Sequence, residues 1–420
     1  MRVLLLTQLF QPEPNHLKGL EFARAVREAG VDLRVLTGFP NYPSGRLYPG
    51  YRMRPILHEE LDGVPVTRVA MFPSHDRSAV RRTTTYLSFA ASSAIAACVS
   101  RFKPDIVHAY MGPMTLAIPA TLSRSVRGSR TLLDIQDLWP ESVTASGMGG
   151  HGTVGAAVTH LCQWAYRRSD RIVVLSEGYK RVLCERGVSA DLIDVIYNWC
   201  DESQIPQPRA SAALVEMPAQ SRPIRVLYAG NLGTVQALDV VLDAAKILSE
   251  RGLPVTFIIA GAGVDLDRLH SRQQAEAISN VSFLGALPAA AMAAIYEEAD
   301  ALLVHLRDEP LSRIAIPQKT QMYLAAGRPV LMGVSGEATA LVEQAGAGLT
   351  FVPESATSLA EAVGRLYAMA PAARLDLGEH GKRFYAERLS FRRGVEAILR
   401  IYESLTGGRL HDSRGGSVVS

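Results

Sequence analysis

Short apolar runs recur along this chain, and each leads into a polar or glycine-bearing loop and then a helical stretch. Residues 3–8, 31–37, 105–108, 131–135, 171–175 and 193–196 are such runs in the first half. Residues 225–228, 255–259, 281–284, 301–304 and 329–334 repeat the rhythm in the second. Apolar strands alternating with helices make a parallel sheet covered on both faces, because parallel neighbours are joined only by crossovers. The expected fold class is α/β. The rhythm is interrupted by residues 204–223 (QIPQPRASAALVEMPAQSRP), which carry four prolines and no period, the mark of a linker. A chain of 420 residues that is 48% apolar can fill a core on either side of it. Residues 1–205 and 206–389 are thus expected as two domains, with 407–420 a frayed tail.

A net charge of +3 and a pI near 8.6 are too mild for a nucleic-acid binder. The small positive excess lies in the first half, which suits an anionic membrane surface or phosphorylated substrates and equally suits chance. Cys98, Cys162, Cys184 and Cys200 show neither metal spacing nor a disulfide framework, and reduced thiols are expected. The start, MRVLLLTQLF, is too short for a signal peptide and reads as a first strand. A basic cluster at 77–82 precedes an uncharged run, residues 83–99 (TTTYLSFAASSAIAACV). That run suits a buried helix first, and second a monotopic surface helix anchored by Arg77, Arg81 and Arg82.

Residues 314–332 (IAIPQKTQMYLAAGRPVLM) hold the clearest candidate site. Pro317 suits the first turn of a helix, residues 319–326 read as that helix, and Gly327 ends it before a buried strand. A helix opening after a loop presents free N–H groups and about half a positive charge, to which Lys319 adds a whole one. This suits a diphosphate at the edge of a parallel sheet; it also suits a solvated lysine on an ordinary surface helix. Lys18 and Gly19 stand where the first loop meets its helix, as phosphate neighbours or as a plain helix cap. In the long loop 38–56, tyrosines beside Arg46, Arg52 and Arg54 suit either a sugar phosphate or packing of the loop on itself. His108, Asp137 and Glu141 follow strand ends, where doubly wound sheets meet ligands, although each also has a structural reading. Gly261 and Gly263 lack the third glycine of a dinucleotide fingerprint. Asp265 and Asp267 imitate a metal-binding pair but are read as a helix cap, and no metal is expected.

Taken together, several segments resemble the GT-B glycosyltransferases of the large retaining family 4. They are TGFPNYPSGRLYPGYR (37–52), DLWPES (137–142), YNWCDES (197–203), LYAGNLGTVQALDVVLDAA (227–245), NVSFLGALP (280–288) and IPQKTQMYLAAGRPVL (316–331). The most similar branch is that of O-antigen and colanic-acid N-acetylfucosaminyl transferases. The resemblance implies two Rossmann-like doubly wound domains facing across a cleft, with a last helix, about 390–406, crossing back to the first. It implies a nucleotide-sugar donor, with a UDP-sugar as substrate and no cofactor, bound mainly by the second domain. Asn231, Leu232, Gly233 and Gln236 then occupy the glycine loop, while Ile316, Pro317, Gln318 and Lys319 face the phosphates. Gly285 and Leu287 follow a strand end near the base, and His108 and Asp137 face the sugar. The implied acceptor is a polyprenyl-diphosphate-linked saccharide, which places the protein at the cytoplasmic face of the membrane.

The departures from the family pattern concern charge. Asn231 and Gln236 stand where many members carry Arg and Lys, and Ile314 and Met322 replace a pair of glutamates. Gln136-Asp137 replaces a His-Asp pair. Phosphate neutralisation is thereby expected from Lys319, Arg313 and Lys18. Asp137 is expected to orient or deprotonate the acceptor, with Glu141 in reserve. A nucleotide-sugar 2-epimerase and a non-catalytic sugar-binding scaffold share this architecture and stay open.

Overall fold

A computed structural model describes residues 1–74, 78–142, 152–206 and 222–407. Arg77, most of the expected linker and all but the first residue of the expected tail lie outside them. The chain divides into two compact units: Met1–Tyr197 together with the chain from Gly394 on, and Asn198–Arg393.

The first unit is built on β1 (Arg2–Thr7), β2 (Asp32–Gly38), β3 (Ile56–Leu61), β4 (Val64–Val69), β5 (Ile106–Met111), β6 (Arg130–Ile135), β7 (Arg171–Val174) and β8 (Ile193–Val195). They form one sheet in the order β3-β4-β2-β1-β5-β6-β7-β8. All neighbours are parallel except β3 and β4, an antiparallel edge hairpin that the apolar-run reading does not foresee. Asp62 and Gly63 turn it, both at positive φ, as a tight hairpin requires. The helices are α1 (Leu20–Glu28), α2 (Ala79–Val99), α3 (Ala117–Arg127), α4 (Gly152–Arg168) and α5 (Glu177–Glu185). The closing helix of the chain, Phe391–Thr406, buries Val395, Ile398, Ile401 and Tyr402, and from Gly394 on it belongs to this unit. No helix among the described residues is long and apolar enough to cross a membrane.

The second unit holds a wholly parallel sheet. Its strands are β9 (Ile224–Ala229), β10 (Val255–Ala260), β11 (Val281–Gly285), β12 (Ala301–His305), β13 (Val330–Gly333) and β14 (Gly348–Thr350), in the order β11-β10-β9-β12-β13-β14. Its helices are α6 (Asp239–Glu250), α7 (Leu266–Ala275), α8 (Ala289–Glu298), α9 (Pro310–Ile314), α10 (Gln318–Ala325), α11 (Glu337–Ala345), α12 (Ala356–Ala368) and α13 (Pro371–Phe384). Apolar residues of β9, β10 and α6 pack with Leu359, Val363 and Leu366 of α12 into its core. The two ends of this unit are fastened together. Glu202 accepts from the Tyr385 hydroxyl and the Phe391 N–H, both at 2.8 Å, and Trp199 meets the Phe391 ring edge-on at 5.4 Å.

Both sheets start near their middle and wind outwards in both directions. The reversal lies between β1 and β5 in the first unit and between β9 and β12 in the second. Loops diverge there and leave a crevice, the usual ligand position of such sheets.

Candidate functional site

In the second unit that position is walled by backbone. Gly230 and Gly261 have φ of +140° and +147°, values that suit glycine. A Cβ on Gly261 would lie 1.8 Å from the Gly230 carbonyl oxygen, so the loops after β9 and β10 touch main chain to main chain. The Leu232 N–H donates to Ala262 O at 2.9 Å, and the Gly261 N–H to Gly285 O at 2.7 Å. The Gly233 N–H is capped by Gln236 Oε1 at 2.9 Å. These amides hold the loops in place and are not free for a ligand. Leu232 is fully buried in the core, whereas Asn231 is exposed. Leu287, beyond the end of β11, is half-buried.

Against this wall stands Lys319. Pro317 caps α10 and ends the extended approach, and Thr320 N–H turns back to Pro317 O at 2.8 Å. The amides of Gln318 and Lys319 have no acceptor within the helix. Tyr323 fastens α10 to the end of β9, accepting from Ala229 N–H at 2.9 Å and donating to Ala229 O at 3.1 Å. This brings Lys319 Nζ to 3.6 Å from the centre of the Tyr228 ring and 3.1 Å from where a Gly230 Cβ would be. The ammonium is buried and has no hydrogen-bond partner among the described residues, and neither has Thr320 Oγ1 in the same turn. Desolvation pulls the Lys319 pKa down to about 7.

His305, at the end of β12, completes the setting. Its Nε2 accepts from the Glu354 N–H at 2.9 Å, so the proton sits on Nδ1, which donates to Gln236 O at 2.8 Å. The imidazole is neutral, with its pKa lowered chiefly by burial, and it stacks on Phe351 with ring centres 5.9 Å apart. It joins three loops without adding charge.

The first unit has the same pair of residue types at its own reversal, but there the charge is answered. Lys18 and His108 are buried, and both reach Asp134 Oδ2 at 3.3 Å. Gln136 donates to Asp134 Oδ1 at 2.6 Å. His108 Nε2 therefore carries its proton toward the carboxylate, and Nδ1 accepts from the Tyr402 hydroxyl at 2.7 Å. Burial works against the Asp134 carboxylate, yet Lys18 and His108 outweigh it and hold its pKa at about 2. Burial lowers the pKa of both Lys18 and His108.

Asp137, just past β6, is exposed, while the protein around it withdraws enough water to raise its pKa. Its charge reaches the hydroxyls of Tyr86, Tyr110 and Tyr179 and raises their pKa values further. It has neither an ion pair nor a hydrogen bond among the described residues, and no described group of three His, Cys, Asp or Glu could hold a metal ion.

Residues 20–199 match the family described as Glycosyl transferase 4-like domain, and residues 223–369 the family described as Glycosyl transferases group 1. The chain carries the two domains of a GT-B glycosyltransferase. The glycosyltransferase is 26% identical over 341 residues to WcaI of Escherichia coli (strain K12), covering 78% of this chain and 82% of that one. WcaI bears the name of a colanic acid biosynthesis glycosyl transferase. With WbjE of Pseudomonas aeruginosa, named as a glycosyltransferase, it shares 24% identity over 253 residues, 59% of this chain and 62% of that one. Among solved structures, the Anabaena protein HepE in complex with UDP superposes with a TM-score of 0.68 at 16% identity, over 96% of this chain and 100% of that one.

Several residues expected to face ligands do other work in this glycosyltransferase. Lys18 neutralises Asp134 and is not available to a phosphate, and His108 belongs to the same buried chain. A Cβ on Gly19 would strike Asn15 O at 1.9 Å, so its small size serves the loop and not a ligand. Arg313 is exposed and clamped by Asp308 through two bonds of 2.8 Å. Glu141 is paired with Arg186, which also donates to Trp139 O. Asp265 stands at the start of α7 without capping it; its carboxylate meets Arg268. The long loop 38–56 packs on itself, with Tyr48 donating to Tyr42 O and Tyr51 lying over Arg68, while Arg46, Arg52 and Arg54 point outward into solvent. Asp134, Tyr228 and His305 were not foreseen. A carboxylate inside TLLDI is itself a signal, since a buried strand tolerates one only beside a cation.

Proposed function

We propose that the glycosyltransferase moves a sugar, with retention, from a nucleoside diphosphate-sugar to a polyprenyl-diphosphate-linked saccharide in bacterial surface polysaccharide synthesis. The observation that carries this is the Lys319 ammonium, desolvated and unpaired at the reversal of the second sheet. A buried cation without a counter-charge is unfavourable unless an anion joins it, and the neighbouring N–H groups at the start of α10 favour the same anion. The UDP bound to HepE and the name of WcaI support the donor and the pathway. The sugar is proposed to be an N-acetylated deoxyhexosamine, as the resemblance to that branch implies.

In this reading Lys319 and the Gln318 and Lys319 amides take the charge that grows on the leaving diphosphate, with no metal ion. The bond between the anomeric carbon and the phosphate oxygen breaks, the acceptor hydroxyl attacks the same face, and its proton passes to the departing phosphate oxygen. The protein contributes position and electrostatics. Asp137, unpaired and less acidic than an ordinary aspartate, orients the acceptor hydroxyl.

The test is a calorimetric panel of UDP-, GDP- and dTDP-sugars on the wild type and Lys319→Met. One nucleotide class should bind, and the variant should bind it about 10- to 150-fold more weakly, the value of one charge-assisted bond. Equal affinity in both proteins would remove the donor assignment. Isomerisation of the sugar nucleotide without acceptor would instead identify an epimerase.

A further inference from the structure

Strand β8 is the outermost strand of the first sheet, at the edge far from the reversal between β1 and β5. The Ile196 N–H donates inward to Val174 O at 2.9 Å, so by the alternation of a strand the Val195 N–H and carbonyl point off the edge. The closing helix does not cover that edge completely. Between the two lies an open cavity of about 280 Å³. Arg171, Asp194 and Val195 line it on the sheet side, and Ala397, Arg400 and Ile401 on the helix side, where a spacing of three and four residues puts them on one face. All six residues belong to the first unit.

The polar groups here are only partly matched. Arg171 donates to Asp191 O at 2.7 Å and to Asp194 Oδ1 at 2.9 Å. Arg171 Nε and Asp194 Oδ2 are buried without a hydrogen-bond partner among the described residues. Arg400 is exposed and has neither an ion pair nor a hydrogen bond among them. Two guanidiniums less one carboxylate leave a charge of +1, which favours an anion over a zwitterion such as an amino acid. A bare anion would still leave the Asp194 oxygen without a donor, and a hydroxyl beside it removes that cost. We propose that this cavity binds a phosphorylated monosaccharide, its phosphate on Arg400, Arg171 Nε and the Val195 N–H, its hydroxyls on Asp194 Oδ2 and the Val195 carbonyl. Val195 precedes the point where the chain leaves the first unit, and Ala397 follows the point where it returns, so the bound molecule ties the two crossing segments together. The site is independent of the donor site, since Lys319 lies in the second unit.

The full-length protein is titrated calorimetrically with glucose 1-phosphate, glucose 6-phosphate, glucose, inorganic phosphate and glutamate. One of the two sugar phosphates should bind at least about 10-fold more tightly than glucose or inorganic phosphate, and should raise the melting temperature. Arg400→Gln should weaken that binding about 10-fold or more. Asp194→Asn should also weaken it, yet should bind inorganic phosphate at least as well as the wild type, because a repelling charge is gone while the hydroxyl partner is lost. Lys319→Met should bind the sugar phosphate as the wild type does. An unchanged circular dichroism spectrum shows that each variant folds. The proposal is overturned if neither sugar phosphate binds, or if Arg400→Gln binds it normally. It is equally overturned if Lys319→Met abolishes binding, which would move the ligand to the donor site. Inorganic phosphate or glutamate binding as tightly as the sugar phosphate would overturn it too, the cavity then holding a bare anion or an amino acid.

Discussion

Donor binding should take up a proton at Lys319. In the empty site desolvation holds this amine near pKa 7, against 10.5 in water, a penalty on the charged form on the order of 5 kcal/mol. A diphosphate beside Nζ supplies the missing counter-charge and returns the pKa well above the working pH. At pH 8 about nine-tenths of the empty sites hold a neutral amine, so binding should draw about 0.9 proton from solution; at pH 6 the uptake should shrink to about 0.1. A UDP-sugar is the suitable probe, because its diphosphate does not itself titrate between these values. Calorimetry at pH 8 in phosphate and in Tris reads the uptake directly, since the apparent enthalpy changes with the buffer's own ionisation enthalpy. Lys319→Met should bind weakly and without this dependence. His305 is not a competing source at pH 8, since burial holds its pKa below the ordinary imidazole value. The empty protein carries the matching stability term. With the folded pKa below the unfolded one, the unfolded chain binds more protons between about pH 7 and 10.5, so stability rises with pH across that window, and saturating donor should flatten the rise. Equal enthalpies in the two buffers at pH 8 would refute the reasoning.

Asp137→Asn should lower kcat by about 100-fold or more while leaving donor affinity intact, measured by transfer to lipid extract and by calorimetry; normal turnover would withdraw the residue from the acceptor step. Asp134→Leu leaves Lys18 buried without an anion and should destabilise the first domain by about 3–5 kcal/mol in urea unfolding, with much of the loss recovered when Lys18→Met is added. His108 is neutral when folded, so its contribution is intact above pH 6.5 and diminishes as pH falls below that value; His108→Gln should flatten that part of a melting-temperature profile. Gly261→Ala should destabilise the second domain by about 1–3 kcal/mol or more, because its φ and the Gly230 carbonyl both exclude a Cβ; an unchanged melting temperature would contradict the packing of the two loops.

The strand-and-helix rhythm was legible wherever burial on both faces made strands continuously apolar, as at β1, β5, β9 and β12. It failed at β3, whose exposed edge position admits the polar HEE of ILHEEL. Helix α13 was not read from the sequence, and it carries Gly378 and Gly381. Both are points of close approach, for a Cβ on Gly378 would lie 2.2 Å from Gly327 O and one on Gly381 3.1 Å from the Ala347 Cβ. The place of Lys319 in the first turn of a helix behind Pro317 was readable because a proline, a lysine and a following strand are local signals. Lys18 misled because its counter-charge, Asp134, lies far along the chain in an apolar strand. Arg313 misled for the reverse reason: Asp308, close by in sequence, had already claimed it.

The hydrogen bond between His108 and Tyr402 spans 294 residues. A ribosome releases the first domain's strands early but the tyrosine that seals them only after the whole second domain. Meanwhile Asn198–Arg393 emerges as one uninterrupted piece, its beginning and end stapled by Glu202. Translation order and completion order are thus inverted: the portion made second can mature first, and the portion made first must wait for the helix that follows it.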